Sequence, residues 1–139
     1  MDDDIKAMGQ EQIDLLVSAL TSSEVDELGL LEEAKCCREN GISFVSFPIE
    51  ERSVPVSIAE FESLLERIQG EIRGGGAIAI HCRAGIGRSS MIVAAVLTRN
   101  GLSATEAFSA IEAARGASVP DTAEQRAWVE RFAVQPKPQ

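Results

Sequence analysis

The chain is poor in the residues that build metal centres and disulfide frameworks, with one histidine and three cysteines in 139 residues. Cys36 and Cys37 are adjacent and Cys82 lies far off, so no paired pattern emerges and a reducing compartment fits best. A lone histidine with scattered cysteines also argues against structural zinc. Long hydrophobic runs are missing, and none approaches the roughly 18 residues that a membrane helix needs. The opening MDDDIKAMGQ lacks the basic and apolar regions of a signal peptide. Positive charge is scarce as well. Lys and Arg number 13 against 22 Asp and Glu, and the net charge of −9 opposes binding to nucleic acid or anionic membrane. There is no internal repeat. These absences lead to the expectation of a soluble, cytoplasmic protein. The length suits one domain spanning 1–139, with 1–12 and 133–139 peripheral.

What is present alternates short apolar runs with stretches of helical spacing. IDLLVSAL (13–20) is a short apolar run closed by Thr21-Ser22-Ser23 and predicts a buried strand. LLEEAKCCRENG (30–41) predicts a helix ended by Gly41, and ISFVSF (42–47) a second strand closed by Pro48. PIEERSVPVS (48–57) is a loop. Ser57 and Glu60 then form a capping-box pattern before Ile58, Phe61, Leu64, Leu65, Ile68 and Ile72, which follow at helical spacing. After Gly74–Gly76 comes the apolar strand AIAIH (77–81). Helices are expected over 89–101, 103–116 and about 122–132. Trp128 and Phe132, four apart, would anchor the last helix, and Arg115 suits a helix end or an ion pair. Strands alternating with helices predict an α/β fold: a largely parallel central sheet flanked by helices on both faces. Sites in such sheets lie at the carboxyl ends of strands.

HCRAGIGRSS (81–90) occupies that place. It runs from strand end through a glycine-containing loop to a helix start. A helix N-terminus offers unpaired N–H groups and partial positive charge, and Gly85 and Gly87 let successive amides turn inward around an anion. Phosphate fits such a nest, and Arg88 brings a planar guanidinium able to hold two of its oxygens. Cys82 stands at the mouth, in a setting that favours thiolate over thiol. A thiolate facing a phosphate ester is placed for attack on phosphorus. The nucleotide-binding loop that ends in Lys-Ser/Thr is excluded, because Arg88-Ser89 stands there and the loop holds no lysine.

HCRAGIGRS resembles the His-Cys-x5-Arg-Ser/Thr signature of the protein tyrosine phosphatase superfamily, in its dual-specificity (cysteine-dependent) branch. FPIEERSVP (47–55) resembles that family's general-acid loop, and RGASVPDTAEQRAWV (115–129) the segment after its phosphate-loop helices. The likeness extends from about Ile13 to Phe132. It implies a protein-tyrosine-phosphatase-like fold and a phosphomonoester hydrolase working without cofactor or metal through a phosphocysteine. Cys82 would be the nucleophile. The backbone of Arg83, Ala84, Gly85, Ile86, Gly87 and Arg88 would cradle the phosphate, with the Arg88 side chain clamping it. Ser89 would hydrogen-bond the sulfur, and His81 would support the loop. Gln125 falls where the family often has a glutamine near the attacking water. Beside complete members of the family the chain begins late, and the strand usually found before Ile13–Leu20 is expected to be absent.

One position departs from the family pattern. Its general acid is usually an aspartate, and Glu51 stands there. A glutamate titrates close to an aspartate, but its extra methylene changes the reach. Glu51 is the expected acid, with Glu50 and Asp121 as alternatives. Simpler roles stand beside these: Ser89 as a helix cap, Thr122 with Gln125 as a capping pair, Cys36 and Cys37 as packing residues. The expected substrate is a phosphorylated protein or peptide, carrying phosphotyrosine and also phosphoserine or phosphothreonine. The alternatives are a phosphate-binding module without turnover, or a phosphatase of a small metabolite or phosphoinositide. A loop without lysine weighs against the lipid.

Overall fold

The computed structural model describes residues 13–82, 87–116, 119–120 and 122–134. Three short parallel strands form the sheet: β1 (Leu15–Ser18), β2 (Ser43–Ser46) and β3 (Ile78–His81), in the order β2-β1-β3. β1 pairs Leu15 with Ser43 on one side and with Ile78 on the other, so Ser18 lies level with both Ser46 and His81. The central strand is entirely buried, whereas β3 is half-buried, since among the described residues it has a neighbour on one side only. Its sequence, IAIH, reads as a fully covered strand; its position explains the difference.

Alternation along β1 divides the core. Leu15 and Val17 face a large cluster shared with the helices α3 (Ile58–Arg73), α4 (Gly87–Arg99), α5 (Ala104–Arg115) and α6 (Ala123–Ala133). Leu16 faces a small one, with Cys36 and Cys37 of α2 (Glu33–Glu39) and Ile42. Helices therefore cover both faces of a parallel sheet, as the alternation predicts. Phe61 of α3 is fully buried at the centre of the large cluster. It meets Trp128 and Phe132 edge-on, at 4.9 and 5.0 Å between ring centroids, and Phe47 at 5.8 Å. Trp128 and Phe132 stack on each other at 5.4 Å, which fixes α6 to the core.

α3 buries Phe61, Leu64, Leu65 and Ile68 on one stripe. Ile58 and Ile72, at the two ends of the same periodic pattern, remain nearly half exposed. Ser57 Oγ accepts the Glu60 N–H at 3.2 Å, one half of the capping box expected there. Ser103 with Glu106 and Thr122 with Gln125 form complete boxes at the starts of α5 and α6. Gly116 ends α5 in the left-handed conformation that glycine adopts without strain.

The Thr21-Ser22-Ser23 cluster is more than a strand terminator. It opens a further helix, α1 (Ser22–Glu27), whose N-cap Thr21 makes a reciprocal box with Glu24. The box stands in the sequence as Thr-x-x-Glu. No apolar stripe follows it to mark a helix, and the helix has only six residues.

Candidate active site

The carboxyl ends of the three strands converge. Phe47 N–H donates to Ser18 O, Ile49 N–H to Ala19 O, and Ala19 N–H to His81 O. These bonds carry the sheet beyond its formal ends. They extend both outer strands alongside Ala19, so the loop after β2 and Cys82 leave the sheet at the same edge. Cys82, half-buried, follows β3 directly, and α4 begins at Gly87. Residues Arg83, Ala84, Gly85 and Ile86 lie outside the described residues, as does Asp121.

The start of α4 is buried through Gly87, Arg88, Ser89 and Ser90. The N–H groups of a first helical turn have no carbonyl of their own helix to bond. Cys82 Sγ lies 3.5 Å from Ser89 Oγ. In the thiol form the S–H donates to that oxygen; in the thiolate form the Ser89 hydroxyl donates to sulfur. The Ser90 hydroxyl donates to Gly87 O at 2.8 Å and braces the turn.

Arg88 is 2% exposed, an unusual depth for an arginine, and its partners explain it. Nη1 donates to Glu24 Oε1 at 2.5 Å, and Nη2 to Glu24 Oε2 at 2.9 Å, a two-pronged pairing. Nη1 also donates to Ile49 O at 2.9 Å. Three of the five guanidinium N–H groups are thus committed, which fixes the plane of the fork. The Glu24 hydrogen bonds raise the Arg88 pKa; burial opposes this, and the charges of Glu24, Cys82 and Glu51 add to it. Glu24 is held down to about 2, chiefly by its hydrogen bond from Arg88 against the cost of burial, with help from Thr21. Glu24, which orients the buried guanidinium, is not marked in the sequence as part of the site. Its one signal was the Thr-x-x-Glu box, which says nothing about an arginine 64 positions away.

His81 Nε2 is 3.1 Å from Glu33 Oε2, an electrostatic contact without the direction of a hydrogen bond. Glu50, Glu51 and Arg52 are exposed at the tip of the loop after β2. A turn forms there, with Ser53 N–H donating to Glu50 O at 3.0 Å and Arg52 at φ 61°. Glu51 and Cys82 both lie within electrostatic reach of Arg88. Gln125 is fully buried: its Oε1 accepts the Thr122 N–H at 3.2 Å and its Nε2 donates to Ser53 O at 2.9 Å. Cys36 and Cys37 pack on the other face of the sheet from the cluster that Cys82 joins, and burial pushes the Cys37 thiol up to about 11.

A family described as "Dual specificity phosphatase, catalytic domain" matches residues 5–132. No curated protein matches the chain. Among solved structures, the fold is similar to a kinase-associated phosphatase whose catalytic cysteine is replaced by serine. The TM-score is 0.87 at 19% identity, over 97% of this chain and 79% of that one. It is also similar to Tk-PTP in its active form (0.82, 24%, covering 96% and 86%) and to PTPMT1 in complex with PI(5)P (0.82, 19%, covering 94% and 83%).

Proposed function

Since the chain belongs to the dual-specificity phosphatase catalytic-domain family, we propose that this cysteine-based phosphatase hydrolyses phosphoproteins, phosphotyrosine first, through a phosphocysteine. The observation that carries this reading is the placement of Cys82 Sγ 3.5 Å from Ser89 Oγ, at the buried start of α4 beside Arg88.

On this reading the thiolate of Cys82 attacks phosphorus as the P–O bond to the leaving group breaks. The backbone of Arg83 to Arg88 and the guanidinium of Arg88 hold the phosphoryl oxygens, where charge builds in the transition state. Glu51 gives its proton to the leaving oxygen. In the second step water attacks phosphorus, Glu51 takes the proton of that water, and the S–P bond breaks. The Ser89 hydroxyl then donates to the departing sulfur and stabilises it as thiolate. His81 steadies the entry to the loop. A thiol nucleophile suits a reducing, cytoplasmic compartment.

The test is a panel of phosphotyrosine, phosphoserine and phosphothreonine peptides, phosphoinositides and small phosphate esters, assayed across pH 5–8 with wild type and Glu51→Gln. Phosphotyrosine peptides should give the highest kcat/KM, and Glu51→Gln should lose about 10²–10⁴-fold on them. Preference for a phosphoinositide or a metabolite would replace the substrate assignment. Tight phosphopeptide binding without hydrolysis would make the domain a binding module.

A further inference from the structure

The turn at Glu50–Ser53 is held from two directions. On its near flank, Ile49 is buried, its N–H is bonded to Ala19 O, and its carbonyl accepts from Arg88 Nη1. On its far flank, Ser53 O accepts from Gln125 Nε2. Between these pins Arg52 holds a positive φ of 61°, a conformation that a non-glycine residue keeps only when its surroundings impose it. Gln125 can orient its amide in one way only. Its Oε1 is taken by the N–H of Thr122, so the NH₂ end must point at the loop. The capping box of α6 therefore has two tasks: it starts the helix and it aims a donor at Ser53.

We propose that Gln125 is a positioning residue which, with Arg88, holds the Glu50–Ser53 turn so that its carboxylate is presented to the leaving group. This inference rests on the phosphatase reading and gives Gln125 a role other than orienting water. It also accounts for a glutamate at the acid position, because a loop pinned at both flanks can set the longer side chain at a fixed reach.

The variant that isolates the pin is Gln125→Glu. Glutamate suits the third position of a capping box and still accepts the Thr122 N–H. As a carboxylate it turns an acceptor toward Ser53 O and removes the donor. Proton donation matters most for a poor leaving group. With phenyl phosphate, Gln125→Glu should lower kcat about tenfold to a hundredfold. With dinitrophenyl phosphate it should change kcat less than about twofold, with KM unaltered. In the Glu51→Gln background it should add almost nothing. An equal loss on both esters, or a full multiplicative loss in the Glu51→Gln background, would overturn the proposal. A leaving-group-dependent loss with Glu51→Gln itself silent keeps the pin and moves the acid to Glu50. Should the wild type turn over neither ester, the phosphatase reading fails and amide exchange decides the pin. Faster exchange at Glu51 to Val54 in Gln125→Glu, or in the apolar Gln125→Met if the first variant does not fold, supports it; unchanged exchange contradicts it.

Discussion

Glu24 and Arg88 form a two-pronged ion pair, 2.5 and 2.9 Å, joining the start of α1 to the start of α4 with both residues buried. The pair sets the plane of the guanidinium before any substrate arrives. Removing the carboxylate leaves a buried cation without its main partner. Glu24→Ala should cost about 3–5 kcal/mol of stability, read by urea unfolding. Glu24→Gln, which keeps the volume, should fold better and show a raised KM for aryl phosphate. Equal stability and KM in both variants and wild type would show the pair to be incidental.

The same pair sets an acid limit. The Glu24 carboxyl sits at about 2 in the folded protein against an ordinary value of 4.5. Its contribution is therefore complete above 4.5 and fades as pH falls from 4.5 toward 2, because the unfolded state takes up the proton first. Thermal unfolding between pH 6 and pH 3 should show a smaller loss for Glu24→Gln than for wild type. Parallel curves would place the acid sensitivity elsewhere.

The three cysteines should react unequally. Cys37 is fully buried and its thiol is pushed up to about 11, so thiolate is scarce at pH 8. Cys82 is half-buried at the mouth of the site. Limited iodoacetamide at pH 8, followed by peptide mass spectrometry, should label Cys82 first and leave Cys37 unlabelled until the protein unfolds. Vanadate should slow labelling at Cys82 alone. Early labelling of Cys37 would contradict its burial.

Phe61 should be the most costly single truncation in the core, since it touches Phe47, Trp128 and Phe132 together. Phe61→Ala should lose about 3–5 kcal/mol, and Thr122→Ala, a cap at the start of α6, about 1 kcal/mol. Chemical denaturation separates the two. A loss at Phe61 no larger than at Thr122 would mean that the aromatic cluster is loosely packed.

Much of this was legible because it is local. The short apolar run at Leu15–Ser18, the stripe Phe61-Leu64-Leu65-Ile68 and the boxes at Ser103 and Thr122 are patterns of near neighbours, and physics acts on them at short range. The Cys82, Arg88 and Ser89 spacing also stands within one short stretch of sequence. Glu24 escaped because its partner is remote in sequence and α1 has too few residues to show a periodic face. The contact between Gln125 and Ser53 O could not be read at all, since a backbone carbonyl accepts in the same way whatever side chain it carries. Ile49 O as a partner of Arg88 is hidden for the same reason.

The proposed phosphocysteine places the phosphoryl group on Cys82. It is tested most directly by mixing the protein with excess aryl phosphate, quenching in acid within milliseconds, and locating phosphate by intact-protein and peptide mass spectrometry. Wild type should carry a phosphoryl group on Cys82, accumulating further in Ser89→Ala as sulfur departs more slowly, and Cys82→Ser should carry none and also lose turnover. Hydrolysis by Cys82→Ser at the wild-type rate, or phosphate trapped on another residue, would contradict it.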